Sequence, residues 1–165
     1  MATNYTLNVD GQTLCRVRAL IDFILANGKQ IHAGDLGGYI ESERNLSQEG
    51  KCWVDGNSWV MNGGKVTENG LADEEALVDH SVVSGDAIAR GYSQLLSGSE
   101  LTEHAVAEEN AFIERSKVSG HAIATGNVWI VDGSELTDNC VAGGSAKILH
   151  GSKLSGNKKI YSGIW

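Results

Sequence analysis

The chain contains no proline, and its three cysteines, Cys15, Cys52 and Cys140, are odd in number and far apart. Without proline, turns that need unusual backbone angles must be built from Gly, Asn, Asp or His, and glycine is abundant at 21 residues. The cysteines form no CxxC pair and no disulfide framework, which favours a reducing compartment. Long hydrophobic runs are missing as well. The longest apolar stretch, around Ala19 to Ala26, is interrupted by Asp22 and far too short to span a bilayer, and no basic segment followed by an apolar one opens the chain. A cytoplasmic protein without membrane association is the expectation.

Basic residues are scarce in one block. Residues 68–114 hold eleven acids against a single base, Arg90, whereas the flanks nearly balance, and the whole chain carries a net charge of −8. An acidic belt argues against direct nucleic-acid binding, because phosphate contacts need Lys and Arg. It suits a partner with a basic surface, and equally a solubility belt on a repeat protein. Asp73, Glu74, Glu75, Asp79, Glu108 and Glu109 are the candidate partner-binding acids.

What the sequence does contain is a hydrophobic ruler. Its marks are Val54, Val60, Val66, Leu71, Leu77, Val83, Ala89, Leu95, Leu101, Ala107, Ile113, Val118, Ala124, Ile130, Leu136, Ala142, Ile148, Leu154 and Ile160. The spacing is six residues except for two steps of five, after Val66 and after Ile113. Two positions before most marks stands a small residue, as at Cys52, Ser58, Ala87, Ala105, Ala122, Ser134 and Cys140. Such a period over more than a hundred residues means stacked rungs. Three six-residue steps make one triangular coil, so the fold expected is all-β: a left-handed parallel β-helix of hexapeptide repeats with about six coils. At ~4.8 Å per coil the prism is roughly 30 Å long. Residues 1–44 do not follow the ruler and form a small N-terminal β-rich cap; residues 45–165 form the solenoid. In the cap, Tyr5–Val9 alternates like a strand and ends at an Asp10-Gly11 turn. Cys15–Phe23 reads as a second strand or short helix, Lys29–Ala33 as another strand, and Gly34–Gly38 as a tight glycine turn.

Sorting the marks three ways separates three faces. Beside Val66, Val83, Leu101, Val118, Leu136 and Leu154 the outward residues are hydroxyls (Thr67, Ser84, Thr102, Ser119, Thr137, Ser155), together with Glu100, Lys117, Glu135 and Lys153 in alternating sign. Beside Val60, Leu77, Leu95, Ile113, Ile130 and Ile148 the outward residues are apolar and aromatic: Trp59, Met61, Ala76, Val78, Leu96, Phe112, Trp129, Val131 and Leu149. A strip of that length is an interface candidate, expected to form a homodimer. The third face is mixed, with a partial column Ile88, Val106, Ile123, Val141. A corner column of Asn69, Asp86, His104, His121, Asn139 and Asn157 consists of residue types that tolerate the left-handed conformation.

Left-handed β-helices raise the question of acyl transfer, which needs a histidine with an orienting partner. His104 and His121 should stack on adjacent rungs, but as corner residues, and no loop insertion carries an active-site histidine. Gly34–Gly38 is glycine-rich without the following Lys or helix start of a phosphate cradle. Acid pairs such as Asp73/Glu74 and Glu108/Glu109 fit solvated corners better than a hard-cation site. No catalytic residue, metal ligand or cofactor is assigned.

The segments Arg16–Phe23, Ala33–Glu43 and Asn45–Gly50 resemble phage- and prophage-borne hexapeptide-repeat proteins of the YdcK type. The resemblance is close over the cap and first coil and extends further as repeat pattern. It implies a β-helix and a phage setting, and carries no catalytic residues with it. The functional expectation is a non-enzymatic protein-binding module that engages a host protein with a basic surface. In its sharper form it is an anti-CRISPR-like inhibitor of a nucleic-acid-acting defence complex. A hexapeptide acyltransferase using acyl-CoA and a structural or assembly component are the alternatives.

Overall fold

The computed structural model describes residues 2–9 and 12–165. Apart from one 3-10 turn at Glu43–Asn45, every regular element described is a β-strand. Strand β1 (Ala2–Val9) pairs antiparallel with β2 (Gln12–Arg18); the expected Asp10-Gly11 turn lies outside the described residues. Strands β3 (Phe23–Ile24) and β4 (Gln30–Ile31) form a separate short hairpin. Strand β5 (Leu36–Ile40) is antiparallel to β2 on one side. The first full coil supplies β6 (Trp53–Val54), β7 (Trp59–Met61) and β8 (Lys65–Val66). On its other side β5 runs parallel to β7, so parallel stacking begins within the residues assigned to the cap.

From β6 onward each strand pairs in parallel with the equivalent strand one coil later. Val54 faces Ala72, Val60 faces Val78, and Val66 faces Val83. Three sheets result, of nine, six and seven strands, the nine including β1, β2 and β5. This is a three-sided parallel β-helix of about seven turns, one more than the marks suggest. Its core is the inward column, in which Val54, Val60, Val66, Leu95, Leu101, Ile113, Ile130 and Leu136 are fully buried. Each buried Val, Leu or Ile contributes about 1.5–3 kcal/mol. The small residues two positions earlier are buried with them, and Ser99 Oγ donates to the Leu96 and Ile113 carbonyls at 2.7 and 3.0 Å, whereas the buried Ser93 hydroxyl has no hydrogen-bond partner among the described residues.

The ruler slips by one residue over two rungs. The inward residues are Ala72 and Val78, both fully buried, and not Leu71 and Leu77. The short step therefore falls between Val78 and Val83. Corner geometry explains why. Six-residue steps turn the corner after the aromatic face with two consecutive positive-φ residues, the second a glycine: Asn62-Gly63, Ser97-Gly98, Asp132-Gly133 and His150-Gly151. The two five-residue steps turn with one such residue, His80 (φ 48) or Arg115 (φ 48). Dropping the glycine removes one residue from the coil.

Coils of 18 and 17 residues alternate until the last, which is again 18 residues long (Leu136 to Leu154), so the structural unit is 35 residues. Gly56, Ser58 and Gly63 recur as Gly91, Ser93 and Gly98, and Thr67-Glu68 recurs as Thr102-Glu103 and then Thr137-Asp138. At the corner after the hydroxyl face an acid and a glycine alternate: Glu68 (φ 58), Gly85 (70), Glu103 (63), Gly120 (72), Asp138 (60) and Gly156 (81). Each acid accepts a hydrogen bond from the glycine amide of the next coil, Gly85 N to Glu68 Oε2 at 2.6 Å, Gly120 N to Glu103 Oε2 at 2.7 Å, and Gly156 N to Asp138 Oδ2 at 2.7 Å. A charge-assisted bond offsets the cost of placing a non-glycine residue at positive φ.

The cap differs from its expected form in two respects. Cys15–Arg18 is strand throughout, with the hairpin beyond it. Gly37 and Gly38 lie inside β5 and make no tight turn. A Cβ on Gly37 would collide with the Val54 carbonyl and the Trp53 ring, and one on Gly38 would meet the Ser58 carbonyl at 2.6 Å. Their lack of a side chain lets β5 settle onto the first coil. The β3–β4 hairpin folds over the upper end of the third face, where Phe23 meets Trp53 edge-on with ring centroids 5.5 Å apart. That face carries a fuller apolar column than its sequence suggests, because Trp53 and Leu71 head the ladder Ile88, Val106, Ile123, Val141.

Candidate functional site

The hydroxyl face has the expected register. Glu100 pairs with Lys117 at 3.4 Å and Glu135 with Lys153 at 2.7 Å, all on solvated side chains. Such exposed pairs contribute less than ~1 kcal/mol each. The corner column beside it is a polar ladder. Asn69 Nδ2 donates to Asp86 Oδ1 at 2.9 Å, His104 Nδ1 lies 3.4 Å from Asp86 Oδ2, and Asn139 Nδ2 donates to Asn157 Oδ1 at 3.0 Å. The His104 and His121 rings stack with centroids 4.7 Å apart. These residues do not hold the positive φ expected of them. That falls one position earlier, on the alternating acids and glycines, and leaves the Asn, Asp and His side chains free to bond along the axis. No group of three His, Cys, Asp or Glu that could hold a metal ion occurs among the described residues.

The acidic belt is a girdle and not a single patch. Glu68 and Glu103 are engaged with glycine amides at the hydroxyl-face corner, and Asp79 lies at the far end of its strand, where Asn62 Nδ2 donates to it at 2.9 Å. The other five candidate acids share one corner, between the third face and the aromatic face. There Asp73-Glu74-Glu75 and Glu108-Glu109 lie one coil above and one coil below Arg90-Gly91-Tyr92. Arg90 Nε donates to Glu108 Oε2 at 3.0 Å, and its Nη2 also bonds that oxygen. The Glu108 carboxylate, with Glu74 and Asp73 beyond it, holds the Arg90 guanidinium above its ordinary pKa. One coil earlier the same corner receives a second cation from the cap, as Lys29 Nζ bonds Asp55 and has its pKa raised by that carboxylate.

The aromatic face borders this corner. Its first outward column is Tyr39, Trp59, Leu77, Gln94, Phe112, Trp129 and Lys147. Phe112 and Trp129 are in contact, with centroids 5.4 Å apart, and Trp129 is 47% exposed. The second column holds Met61, Asp79, Leu96, Glu114, Val131 and Leu149, so acids interleave the apolar positions. Of the expected interface residues, Trp59, Met61, Leu96, Phe112 and Leu149 are half-buried on this face, and Val131 is nearly covered. Val78 is a correction: it points into the core and is fully buried, because the one-residue slip turns the strand over. Ala76 is likewise buried in the small-residue column. Leu77 takes the outward place.

Cations cap this column from within the chain. Arg16 lies over the Tyr39 ring at 5.4 Å, and Lys147 over Trp129 at 5.0 Å. Between them an open cleft of about 370 Å3 is formed by Trp59, Leu77, Gln94, Glu75, Asn57 and Tyr92. Tyr92, 60% exposed, is the residue that the sequence reading missed. It occupies the corner position of Asn57 and Glu75, which only the corrected register reveals. No protein-family model matches the chain, and no curated protein sequence matches it.

Proposed function

We propose that this protein is a non-enzymatic binding module for a protein with a basic surface, engaged where the acidic corner meets the aromatic face. The observation that carries this reading is the juxtaposition of five carboxylates, Asp73, Glu74, Glu75, Glu108 and Glu109, with exposed Tyr92 and half-buried Trp59. Among the described residues two cations offset them, Arg90 bonded to Glu108 and Lys29 bonded to Asp55 one coil earlier. Aromatic anchors beside acids suit a partner whose Lys and Arg side chains present both charge and flat apolar area. A rigid prism holds such groups in place at little entropic cost on binding.

The cap resembles phage-borne proteins, and a basic groove evolved for DNA or RNA is a fitting target for an acidic mimic. The sharper reading is therefore an anti-CRISPR-like inhibitor that occupies the nucleic-acid groove of a host defence complex from the cytoplasm. The test is affinity capture from host lysate, with identification of the retained proteins and competition by duplex DNA. Wild type should retain nucleic-acid-binding proteins that are released by added DNA and lost in an Asp73→Lys, Glu74→Lys, Glu109→Lys variant. Retention that ignores both the DNA and the charge reversal contradicts the reading.

The lower half of the aromatic face supports a second contact. Trp129, Val131 and Leu149 lie on the coils after the five corner acids and, with Phe112 on the strand that follows Glu109, suit association with a second copy of the chain. Sedimentation of wild type against a Phe112→Glu, Trp129→Glu variant reads this out: dimer to monomer supports it, and monomer for both rejects it.

A further inference from the structure

We propose that the cleft between Trp59 and Tyr92 seats an arginine side chain of the basic partner, with Glu75 as its counter-charge. This rests on the acidic-corner reading above and specifies where and how one residue of the partner is recognised. Trp59 and Tyr92 are two coils apart, so the rise of ~4.8 Å per coil separates them by about 10 Å along the axis. That leaves room for one planar group between two aromatic side chains. Leu77 forms the floor, Glu75 stands on the intervening coil at the corner, and Asn57 and Gln94 complete the walls.

The chain already shows the same chemistry on both sides of the cleft. Along the sheet column, Tyr39 and Trp129 each have a cation of this chain over the ring, Arg16 and Lys147 respectively. Around the corner, Arg90 lies in an adjoining hollow formed with Glu74, Tyr92, Glu108 and Glu109 and is held by Glu108. Trp59 and Glu75, between these occupied positions, have no cation of their own among the described residues. A guanidinium fits better than an ammonium, because it is planar, weakly hydrated and able to stack while its edge bonds a carboxylate. The charge complementarity favours a cation: Glu75 lines the cleft, Glu74, Glu108 and Glu109 line the adjoining hollow, and against these corner acids stand Arg90 and, one coil earlier, Lys29.

The experiment is calorimetric titration of the intact protein with octa-arginine, octa-lysine and the neutral isostere octa-citrulline at 50 mM and 150 mM salt. Octa-arginine should bind more tightly than octa-lysine, and octa-citrulline should not bind. Trp59→Leu, Tyr92→Leu and Glu75→Gln should each weaken octa-arginine roughly three- to tenfold and narrow its margin over octa-lysine. Tyr92 is exposed enough for its variant to remain folded, which a thermal melt verifies for all three. Equal binding of the two basic peptides, unmoved by these substitutions but weakened by Glu74→Gln with Glu109→Gln, overturns the arginine seat and leaves the acidic-corner reading standing. Absence of binding by either basic peptide at 50 mM salt overturns both.

Discussion

The Glu103 carboxylate accepts a 2.7 Å hydrogen bond from the Gly120 amide of the next coil, and both residues have positive φ. The pair is one clasp in a column that repeats every second coil. A side chain at Gly120 has nowhere to go, since its Cβ would lie 2.8 Å from the Asp138 backbone nitrogen. Gly120→Ala should therefore lower stability by about 3 kcal/mol, combining the clash with the conformational penalty. Glu103→Gln, which weakens a charge-assisted bond on an exposed side chain, should cost about 1 kcal/mol. Glu103→Gly should lie near wild type, because relief of positive-φ strain offsets the lost bond. Urea denaturation of the three variants measures the order.

The corrected register makes an asymmetric prediction for two adjacent residues. Val78 is fully buried and Leu77 faces outward. Val78→Ala should destabilise by about 1–3 kcal/mol through lost burial and cavity formation, and Leu77→Ala by less than about 1 kcal/mol. A larger effect at Leu77 would restore the register with Leu71 and Leu77 inside.

Burial pushes the Cys52 thiol up to about 11. Between its ordinary value and that one, the unfolded chain has released a proton that the native state keeps. Native-state stability contributed by Cys52 is thus complete at neutral pH and declines as pH rises from about 9 to 11. The full effect is about 2–3 kcal/mol. Thermal melts at pH 7.5 and 10.5 should show a larger loss for wild type than for Cys52→Ala. Equal losses would contradict the assignment.

Cap docking depends on glycine in β5. Gly37→Ala drives a methyl into the Val54 carbonyl and the Trp53 ring. The cap should detach or shift, exposing Trp53, which is 1% exposed in the native fold. Red-shifted tryptophan emission with a retained β-sheet circular dichroism signal is the expected signature; an unshifted spectrum at wild-type stability would count against it.

The solenoid was legible because its buried positions recur and its salt-bridge ladder follows without further assumption. Glu100, Lys117, Glu135 and Lys153 stand in register as the spacing implies. The slip at Leu71 and Leu77 was not legible from hydrophobicity, since Leu71-Ala72 and Leu77-Val78 are apolar doublets and either member can face inward. The discriminating signal lay at the corner, where a lone His80 replaces the Asn-Gly or Ser-Gly pair. The acid–glycine alternation was also present in sequence, hidden by its 35-residue period. The acidic belt was visible as composition. Its division among three corners, and the placing of Tyr92 beside Trp59 and Glu75, depend on register and emerged only from the structure.

The most direct test of the binding surface is a backbone-amide NMR titration of the 17.5 kDa protein with octa-arginine. Shifts should concentrate at residues 57–59, 73–77, 90–94 and 108–109, where the acidic corner adjoins the aromatic face. Shifts spread evenly over all acids of the girdle, or centred on Asp132, Glu135 and Asp138, would contradict it.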